Sequence, residues 1–391
     1  MSDPVVRIAS RGEGETQSGV YVPFGVPGDL LSADGTLVEG PGHQVPPCRH
    51  FPECGGCQLQ HTTDDAYCDY LVQRVAGALA EHGLNSEVRP PHLSPPRSRR
   101  RTSLRMLRLR GGVQIGFNAE RSNRIVDMRE CHVLRPELFA LVAPLRRLGS
   151  QLLRIGRSGQ VQMSLCDQGV DVGLSHVDEP EGLAAVEALT DFALEQKLAR
   201  LTLDSGVGPE TRYEPRPVTV TLSGVPVGLA PGAFLQATED GEAALIAAVR
   251  ECVGGSARTA DLFAGLGTFA LALPGQVVAA EASRDAILAL KRAAPRVAVE
   301  HRDLYRRPLD EAELAGFGAV VLDPPRAGAF EQVKALAGSP VERIAYVSCN
   351  PATFARDARV LVDGGYRLDW VRPVGQFRWS THVELAAAFS R

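Results

Sequence analysis

Long apolar stretches are missing from this chain of 391 residues. No run approaches the roughly 18 residues that a membrane helix needs. The first residues, Met1-Ser2-Asp3-Pro4, lack the basic and apolar regions of a signal peptide. We therefore expect a cytoplasmic protein without a membrane partner. In that reducing compartment the eight cysteines are expected to be metal ligands, nucleophiles or buried apolar residues rather than disulfides.

An overall excess of positive charge is also missing, because the formal net charge is −4. That average hides a patch, residues 97–110, with seven arginines in fourteen residues and no lysine. The segment Thr102 to Ile115 is predicted to form a β-hairpin. Strand alternation places Arg101 and Arg105 on one face and Arg108 on the other.

An arginine patch of this kind can bind RNA phosphates even in an acidic chain. The alternative is a solvated edge hairpin whose charges prevent aggregation. The candidate RNA contacts are Arg99, Arg101, Arg105 and Arg108.

The residue pattern divides the chain into four segments. Residues 1–47 indicate a small β unit, and residues 48–84 hold a cysteine-rich stretch followed by a helix. Residues 85–230 are mostly strand-like, and we predict a mixed β-rich central domain that binds RNA. In residues 231–391 helices alternate with nearly continuous apolar strands, which predicts an α/β fold with a mostly parallel, doubly wound, Rossmann-like sheet. Ligands of such sheets bind at the carboxyl ends of the strands.

A glycine turn follows the first strand of that sheet. Gly265 and Gly267 come soon after Asp261 and would let a ligand approach the backbone closely, although a tight packing turn explains them nearly as well. The turn is expected to open a helix. The third glycine of the dinucleotide fingerprint is absent from Thr268-Phe269-Ala270, so the sequence disfavours a pyrophosphate cofactor.

Carboxylates end the next two predicted strands. Glu281 can hold ribose hydroxyls, and Asp303 can contact an adenine edge. Gln236 is expected to face the same rim. A nucleoside cofactor without pyrophosphate fits this set, and S-adenosylmethionine is the leading candidate.

Cys349 ends an apolar strand at an Asn350-Pro351 turn, and a helix is predicted to begin there. A helix N-terminus favours thiolate, which makes Cys349 a candidate nucleophile. The alternative is an ordinary buried cysteine.

Asp323-Pro324-Pro325 resembles the motif with which amino methyltransferases hold an exocyclic nitrogen. Arg326 replaces the aromatic residue that stacks the base in those enzymes, so the sequence favours methylation at carbon. A thiolate that adds to C6 of a pyrimidine activates C5 towards a methyl donor, and a base must then remove the C5 proton. Glu384, at the start of an apolar strand, is the candidate base, with a surface salt bridge as the alternative.

Cys48, Cys54, Cys57 and Cys131 have the pattern of metal ligands. Four thiolates suit zinc and an iron–sulfur cluster equally well. Five motifs, taken in order from residue 48 to the C-terminus, resemble those of the RNA uracil-5 methyltransferases. They are the cysteine segment, the glycine loop after Asp261, Asp323-Pro324-Pro325-Arg326, Ser348-Cys349-Asn350-Pro351 and His382-Val383-Glu384. The resemblance is to the branch that carries an iron–sulfur cluster and is typified by bacterial 23S ribosomal RNA enzymes.

The resemblance implies a class I methyltransferase domain that uses S-adenosylmethionine, with Cys349 as nucleophile and Glu384 as base. It assigns the four cysteines to a 4Fe-4S cluster. It also implies that residues 1–47 are a truncated form of the family's RNA-binding barrel. The positions that it implies for the cofactor and the base are Gln236, Phe263, Gly265, Gly267, Thr268, Glu281, Asp303 and Asp323. Thr268 departs from the family, which usually has Asn there.

The expected activity is transfer of a methyl group to C5 of a uridine in RNA, with 23S rRNA as the first choice, by a monomer. Three alternatives stay open. They are a tRNA uridine C5 methyltransferase, an RNA cytosine C5 methyltransferase, and a catalytically inactive, metal-stabilised RNA-binding assembly factor.

Overall fold

The computed structural model describes residues 2–180 and 182–391. The strands up to residue 175 are β1 (Asp3–Ile8), β2 (Gly14–Thr16), β3 (Tyr21–Val22), β4 (Leu30–Leu31), β5 (Leu37–Val38), β6 (Glu87–Val88), β7 (His92–Leu93), β8 (Arg101–Leu109), β9 (Gly112–Gly116), β10 (Ser158–Cys166) and β11 (Gly169–Ser175). The later strands are β12 (Arg200–Asp204), β13 (Glu210–Tyr213), β14 (Thr219–Leu222), β15 (Val225–Gly228), β16 (Arg258–Leu262), β17 (Gln276–Glu281), β18 (Val297–His301), β19 (Ala319–Leu322), β20 (Arg343–Ser348), β21 (Arg367–Gly375) and β22 (Glu384–Ser390).

The helices are α1 (Asp64–Glu81), α2 (Pro136–Ala140), α3 (Val142–Leu152), α4 (Leu183–Glu195), α5 (Glu239–Val253), α6 (Arg284–Ala293), α7 (Glu311–Leu314), α8 (Phe330–Gly338) and α9 (Pro351–Asp363). Within residues 2–180 and 182–391 none of them has both the length and the hydropathy needed to cross a membrane.

The chain forms two compact units, and both are discontinuous in sequence. The first unit combines the chain up to Pro46 with Leu59–Ser94 and Asp240–Arg391, and the second combines Pro47–Gln58 with Pro95–Glu239. This division differs from the predicted segments 1–47, 48–84, 85–230 and 231–391. The physical reason is that strands β6 and β7 join the edge of the large sheet, while the cysteine segment pairs with residues near 119.

A nine-stranded sheet forms the centre of the first unit, in the order β18-β17-β16-β19-β20-β22-β21-β6, with β7 also paired to β21. Strands β16 to β20 pair in parallel, whereas β22 runs antiparallel to both of its neighbours. The central strands are apolar on both faces, as the four buried residues of β19 show. Such strands require cover on both sides, and the connecting helices provide it.

Helix α1 and the amino-terminal strands also belong to the first unit. Tyr67, Tyr70 and Leu71 of α1 lie in the same buried apolar cluster as Leu361 of α9 and Val371 of β21. Thr63 caps α1 by accepting a hydrogen bond from the Ala66 amide, and a five-stranded antiparallel sheet, β3-β2-β1-β4-β5, precedes it.

A six-stranded sheet, β13-β12-β11-β10-β8-β9, forms the second unit, together with the hairpin β14-β15. Leu104 and Met106 of β8 are buried with Leu145 and Leu148 of α3 in one apolar cluster. Arg101, Ser103 and Arg105 alternate with those residues and therefore lie on the opposite face of the sheet. The predicted basic hairpin is present as β8 and β9, which have a regular register from Arg105↔Gly116 to Leu109↔Gly112.

The helix expected immediately after the Gly265–Gly267 turn is not formed. Residues 265–272 are turns instead, although the Leu271 amide donates to the Gly267 carbonyl over a distance of 2.9 Å as it would in a helix. Pro274 and Gly275 follow within a few residues and leave too little chain for a regular helix.

Candidate active site

The candidate site residues of the first unit lie at one edge of its sheet. Asp261 is the penultimate residue of β16, Glu281 ends β17, and Asp323 and Cys349 directly follow β19 and β20. These strands are parallel, so their carboxyl ends meet at the same edge. Strand β22 runs the other way, and its first residue, Glu384, therefore reaches that edge as well.

Cys349 and Glu384 face each other across two neighbouring strands. Ser348 of β20 pairs with Leu385 of β22, so the next position outward sets Cys349 opposite Glu384. The Glu384 side chain is buried, with 5% of its surface exposed. Burial, Glu384 and then Asp323 raise the pKa of the Cys349 thiol to about 11, against a smaller lowering effect of Arg326.

The expectation that the helix start makes Cys349 a thiolate is therefore wrong for the chain by itself. Asn350 does cap α9, because its side chain accepts a hydrogen bond from the Ala352 amide at 3.2 Å. Two nearby carboxylates and partial burial outweigh that favourable end of the helix.

The loop after Asp323 is fastened to the start of α9. The Arg326 carbonyl accepts hydrogen bonds from Asn350 Nδ2 at 3.2 Å and from Thr353 Oγ1 at 3.1 Å. Gly328 has φ = 82°, and a Cβ at this position would lie 2.6 Å from Asp357 Oδ2. The loop that carries Asp323 and the helix that follows Cys349 are thus held in one arrangement.

A buried carboxylate below this loop was not predicted from the sequence. Asp357 of α9 is completely buried and accepts hydrogen bonds from the Tyr346 hydroxyl at 2.6 Å, the Ala329 amide at 2.7 Å and Arg356 Nε at 2.8 Å. An aspartate within the apolar face of a predicted helix is the signal that could have identified it, because such a group is costly to bury without partners.

On the other side of the edge, Glu281 organises the glycine turn. Its Oε2 accepts from the Gly265 amide at 2.8 Å, and its Oε1 accepts from the Ser283 amide at 2.6 Å. Phe263 adopts φ = 63°, a conformation uncommon for residues other than glycine and typical of functional turns.

The two glycines of the turn have different roles. A Cβ on Gly267 would lie 2.5 Å from Leu290, so this glycine serves close packing against α6. A Cβ on Gly265 would meet nothing within 4 Å, so the backbone at Gly265 borders open space. Thr268 follows in the turn and is half-buried.

Asp261 is buried with one unsatisfied oxygen. Its Oδ2 accepts from the Ala270 amide at 2.8 Å, whereas its Oδ1 has no hydrogen-bond partner in the described part of the chain. Burial, with smaller contributions from Asp323 and Glu281, raises the pKa of Asp261 to about 8. Burial and Glu281 likewise raise the pKa of Asp323 to about 7.

Asp303 lies just beyond β18, where its Oδ1 accepts from the Tyr305 amide at 3.0 Å. Tyr305 was also missed from the sequence. Its ring centroid lies 5.5 Å from that of Phe263, and its hydroxyl donates to the Gly328 carbonyl at 3.0 Å. Tyr305 therefore connects the loops after β16, β18 and β19.

Gln236 belongs to the second unit, where its backbone carbonyl accepts from Arg100 Nε at 3.1 Å. Its predicted place at the cofactor rim stays a prediction.

The four candidate cluster cysteines all belong to the second unit. The pKa values of Cys48 and Cys54 are raised chiefly by burial, and Cys131 contributes to both, which places these thiols near one another. No disulfide joins any of the eight cysteines, all of which are described. Across residues 2–180 and 182–391, no three histidine, cysteine or acidic side chains are close enough to hold a single metal ion.

The four predicted RNA-binding arginines do not form one surface. Arg99 lies beside the cysteines, since burial lowers its pKa while Cys57 and Cys131 act in the opposite direction. Arg108 donates to Ser150 Oγ of α3 at 2.8 Å, on the helix-covered face of the sheet. Arg101 and Arg105 share the other face, where the Arg101 guanidinium lies 4.6 Å from the centroid of the Phe234 ring.

Comparison with known proteins identifies clear relatives. Residues 297–391 match the family model of the tRNA (uracil-5-)-methyltransferases. An uncharacterised RNA methyltransferase of Zymomonas mobilis is 49% identical over 99% of both chains. The 23S rRNA (uracil(1939)-C(5))-methyltransferase RlmD of Thiobacillus denitrificans is 34% identical over 92% of this chain and 89% of its own.

Among solved structures, the Pyrococcus abyssi tRNA (uracil-54, C5)-methyltransferase in complex with S-adenosyl-L-homocysteine matches with a TM-score of 0.76. The alignment covers 100% of this chain and 99% of that chain at 24% identity. At this identity the match establishes the fold, and it agrees with the predicted α/β class.

Proposed function

This chain belongs to the S-adenosylmethionine-dependent RNA (uracil-5-)-methyltransferase family, and we propose that it methylates C5 of a specific uridine in RNA through a covalent bond between Cys349 and C6. One observation carries the proposal. A thiol and a buried carboxylate face each other at the ligand-binding edge of the sheet, and Asp323 lies close enough to affect the pKa of that thiol.

The chemistry assigns one task to each group. The Cys349 thiolate adds to C6 of the uracil, and the electrons of the C5–C6 double bond move towards C5. C5 then takes the methyl group, while the sulfonium becomes a neutral thioether. Glu384 removes the C5 proton, the double bond forms again, and the thiolate leaves.

The raised pKa of Cys349 sets a condition for the first step. The thiol stays protonated near neutral pH while Glu384 and Asp323 are its neighbours. A positively charged sulfonium at the same edge would offset both carboxylates and favour the thiolate. The nucleophile is therefore expected to be activated only after the methyl donor is bound.

The residues of the glycine turn fit S-adenosylmethionine. Asp261 offers a buried carboxyl oxygen without a partner among the described residues, which suits a donor from the ligand. The backbone beside Gly265 borders open space, and Glu281 is held by two amides while lone pairs remain for ribose hydroxyls. Phe263, Thr268, Asp303 and Asp323 complete the proposed contacts.

We take 23S rRNA as the substrate class, because the ribosomal RNA enzyme of T. denitrificans is 34% identical over nearly the whole chain. The structural relative from P. abyssi acts on tRNA, so the choice needs a direct test. Methyluridine should be mapped in cellular RNA from strains with and without the gene. Loss of one ribosomal site would support the proposal, loss of a tRNA site would move the substrate to tRNA, and methylcytidine in its place would contradict uridine specificity.

Cys349→Ala provides the mechanistic test. We expect no methyl transfer and no covalent adduct with RNA that contains 5-fluorouridine, a base whose C5 fluorine cannot be removed as a proton. An alanine variant that still methylates RNA would exclude Cys349 as the nucleophile. Binding of S-adenosylmethionine, measured by calorimetry, checks that the variant is folded.

We further propose that Cys48, Cys54, Cys57 and Cys131 hold a 4Fe-4S cluster. The Cys131 thiol influences the pKa values of both Cys48 and Cys54, and Cys57 and Cys131 both influence that of Arg99, so the four thiols lie in one region, as the ligands of a cluster must. Methyl transfer to C5 needs no electron transfer, so the cluster would support the fold of the second unit. Anaerobically purified protein should be brown and contain iron and sulfide. Colourless protein with one zinc per chain would contradict this assignment.

A further inference from the structure

A cleft in the second unit has no place in the methyl-transfer reaction described above. Its volume is about 470 Å³, and it lies where the cysteine segment meets β8 and the loop that follows β9. The residues that line it include Gln58, Arg105, Phe117, Asn118, Glu120 and Arg121. The cleft lies wholly within one unit.

Arg105 gives the cleft an uncompensated positive charge. It lies on the face of the six-stranded sheet opposite Leu104 and Met106, and in the described ranges its guanidinium forms no ion pair, although Glu120 also lines the cleft. Arg121, at the rim, is 3.6 Å from Glu120 and is partly neutralised by it. Arginine presents a planar set of donors that matches a phosphate group.

Phe117 and two amide side chains supply the rest of the lining. Phe117 is partly buried, and its ring packs on the cysteine segment, where a Cβ on Gly56 would be 3.1 Å from it. Gln58 Nε2 donates to the Gly55 carbonyl at 2.7 Å, and the Gly55 amide donates to the Asn118 carbonyl at 3.0 Å. An aromatic ring beside side-chain amides and an arginine is a combination that binds unpaired nucleotides.

We propose that this cleft binds an unpaired nucleotide of the RNA substrate, apart from the methylated uridine. Arg105 binds the phosphate, and the base lies against Phe117 with its edge towards Asn118. This inference rests on the proposed function for the identity of the ligand as RNA. It also gives the cysteine segment a specific task, because Gly55 and Gln58 form one wall of the cleft.

The cleft can be tested without methyl transfer. The probe is a short fluorescein-labelled oligouridylate, and the measurement is its anisotropy at several salt concentrations. Arg105→Gln is expected to weaken binding about tenfold at low salt, and to reduce the slope of log Kd against log salt by about 0.7, the value for one lost phosphate contact on a single strand. Arg110→Gln is the matched control, since Arg110 is exposed on the same hairpin and does not line the cleft.

Photo-crosslinking provides a second measurement, which locates the bound nucleotide directly. An oligonucleotide that contains 4-thiouridine should crosslink to the peptide that includes Phe117 and Arg121, and Arg105→Gln should reduce that crosslink. Arg105→Lys, which keeps the charge, should retain part of the affinity if the glutamine variant does not fold. Equal losses in the Arg105 and Arg110 variants, or crosslinks confined to other peptides, would overturn the proposal.

The two proposals fail separately. If RNA binds and crosslinks in the cleft but no RNA is methylated, the nucleotide-binding proposal stands and the methyltransferase function is refuted. If RNA is fully methylated but Arg105→Gln does not change the affinity for oligouridylate, the methyltransferase function stands and the nucleotide-binding proposal is refuted.

Discussion

Two regions of this protein hold charge in opposite ways. At the ligand-binding edge of the first unit, Asp261, Asp323 and Glu384 are buried or partly buried around Cys349, and the pKa values of both aspartates and of the thiol are raised. On the helix-free face of the second unit, Arg105 lies next to Ser103, which accepts a hydrogen bond from Gln160 at 2.7 Å. Acidic groups are crowded together in the first region, whereas the second presents a half-buried arginine at an open cleft.

This difference predicts how mutations in each region should depend on pH and on salt concentration. Crowded carboxylates change each other's protonation, so a change of one affects the others and the effect depends on pH. An arginine that borders solvent binds phosphate with release of counterions, so the effects of such arginines should add and depend on salt. Three predictions test this contrast.

The largest effect is expected for Glu384→Gln. The variant keeps the shape of the side chain but cannot remove the C5 proton, so turnover should fall by about 10²- to 10⁴-fold. It also removes a charge that raises the pKa of Cys349, so addition of the thiol to uracil should persist. A covalent complex with ordinary, unfluorinated RNA is therefore expected to accumulate, visible as a shifted band in a denaturing gel.

Cys349→Ala is the control for that band, because it cannot form the bond. Normal turnover by the glutamine variant would show that another group takes the proton. Absence of both turnover and adduct would indicate that Glu384 is needed for an earlier step.

The sequence was enough to predict that these carboxylates lie at one edge of the sheet, because the parallel topology alone determines that position. Asp261, Glu281 and Asp323 each lie at the end of an apolar strand, and parallel strands bring their ends together. The facing of Cys349 and Glu384 was not accessible in this way, since it depends on the antiparallel register of β22.

The raised pKa of Cys349 was missed for the same reason. Its causes are burial and carboxylates from distant parts of the chain, whereas the sequence displays only the adjoining helix start. The division into two units also depends on long-range pairing, of β6 and β7 with β21 and of Cys54 with Ala119, and it therefore differs from the segments predicted from the sequence.

Stability of the chain without ligand should fall as pH rises, and Asp261 is a main cause. Its folded pKa is about 8, above the usual 3.8, so the folded carboxyl keeps its proton between about pH 4 and pH 8 while the unfolded carboxyl has lost it. The contribution of Asp261 to the free energy of unfolding, on the order of a few kcal/mol, is therefore fully present below about pH 4 and has been lost at about pH 8. Asp261→Asn should flatten the decline of Tm with pH.

Asp69→Asn, at an exposed position on α1, is the matched control and should leave the pH dependence unchanged. Asp323, whose pKa is also raised, should leave a smaller decline in the Asp261→Asn protein. An unaltered decline in that variant would mean that Asp261 is ionised in the folded chain.

The smallest effect is expected for Arg108→Gln, and it tests whether strand parity decides which arginines bind RNA. Arg108 donates to Ser150 on the helix-covered face, so its loss should cost about 1 kcal/mol of folding free energy and leave oligouridylate affinity within about twofold of the unmodified chain. Arg105 lies three residues earlier on the same strand, and its loss should cost affinity with little change in stability. If both substitutions weaken binding with the same salt dependence, the sheet face does not select the RNA contacts, and the patch acts through its summed charge alone.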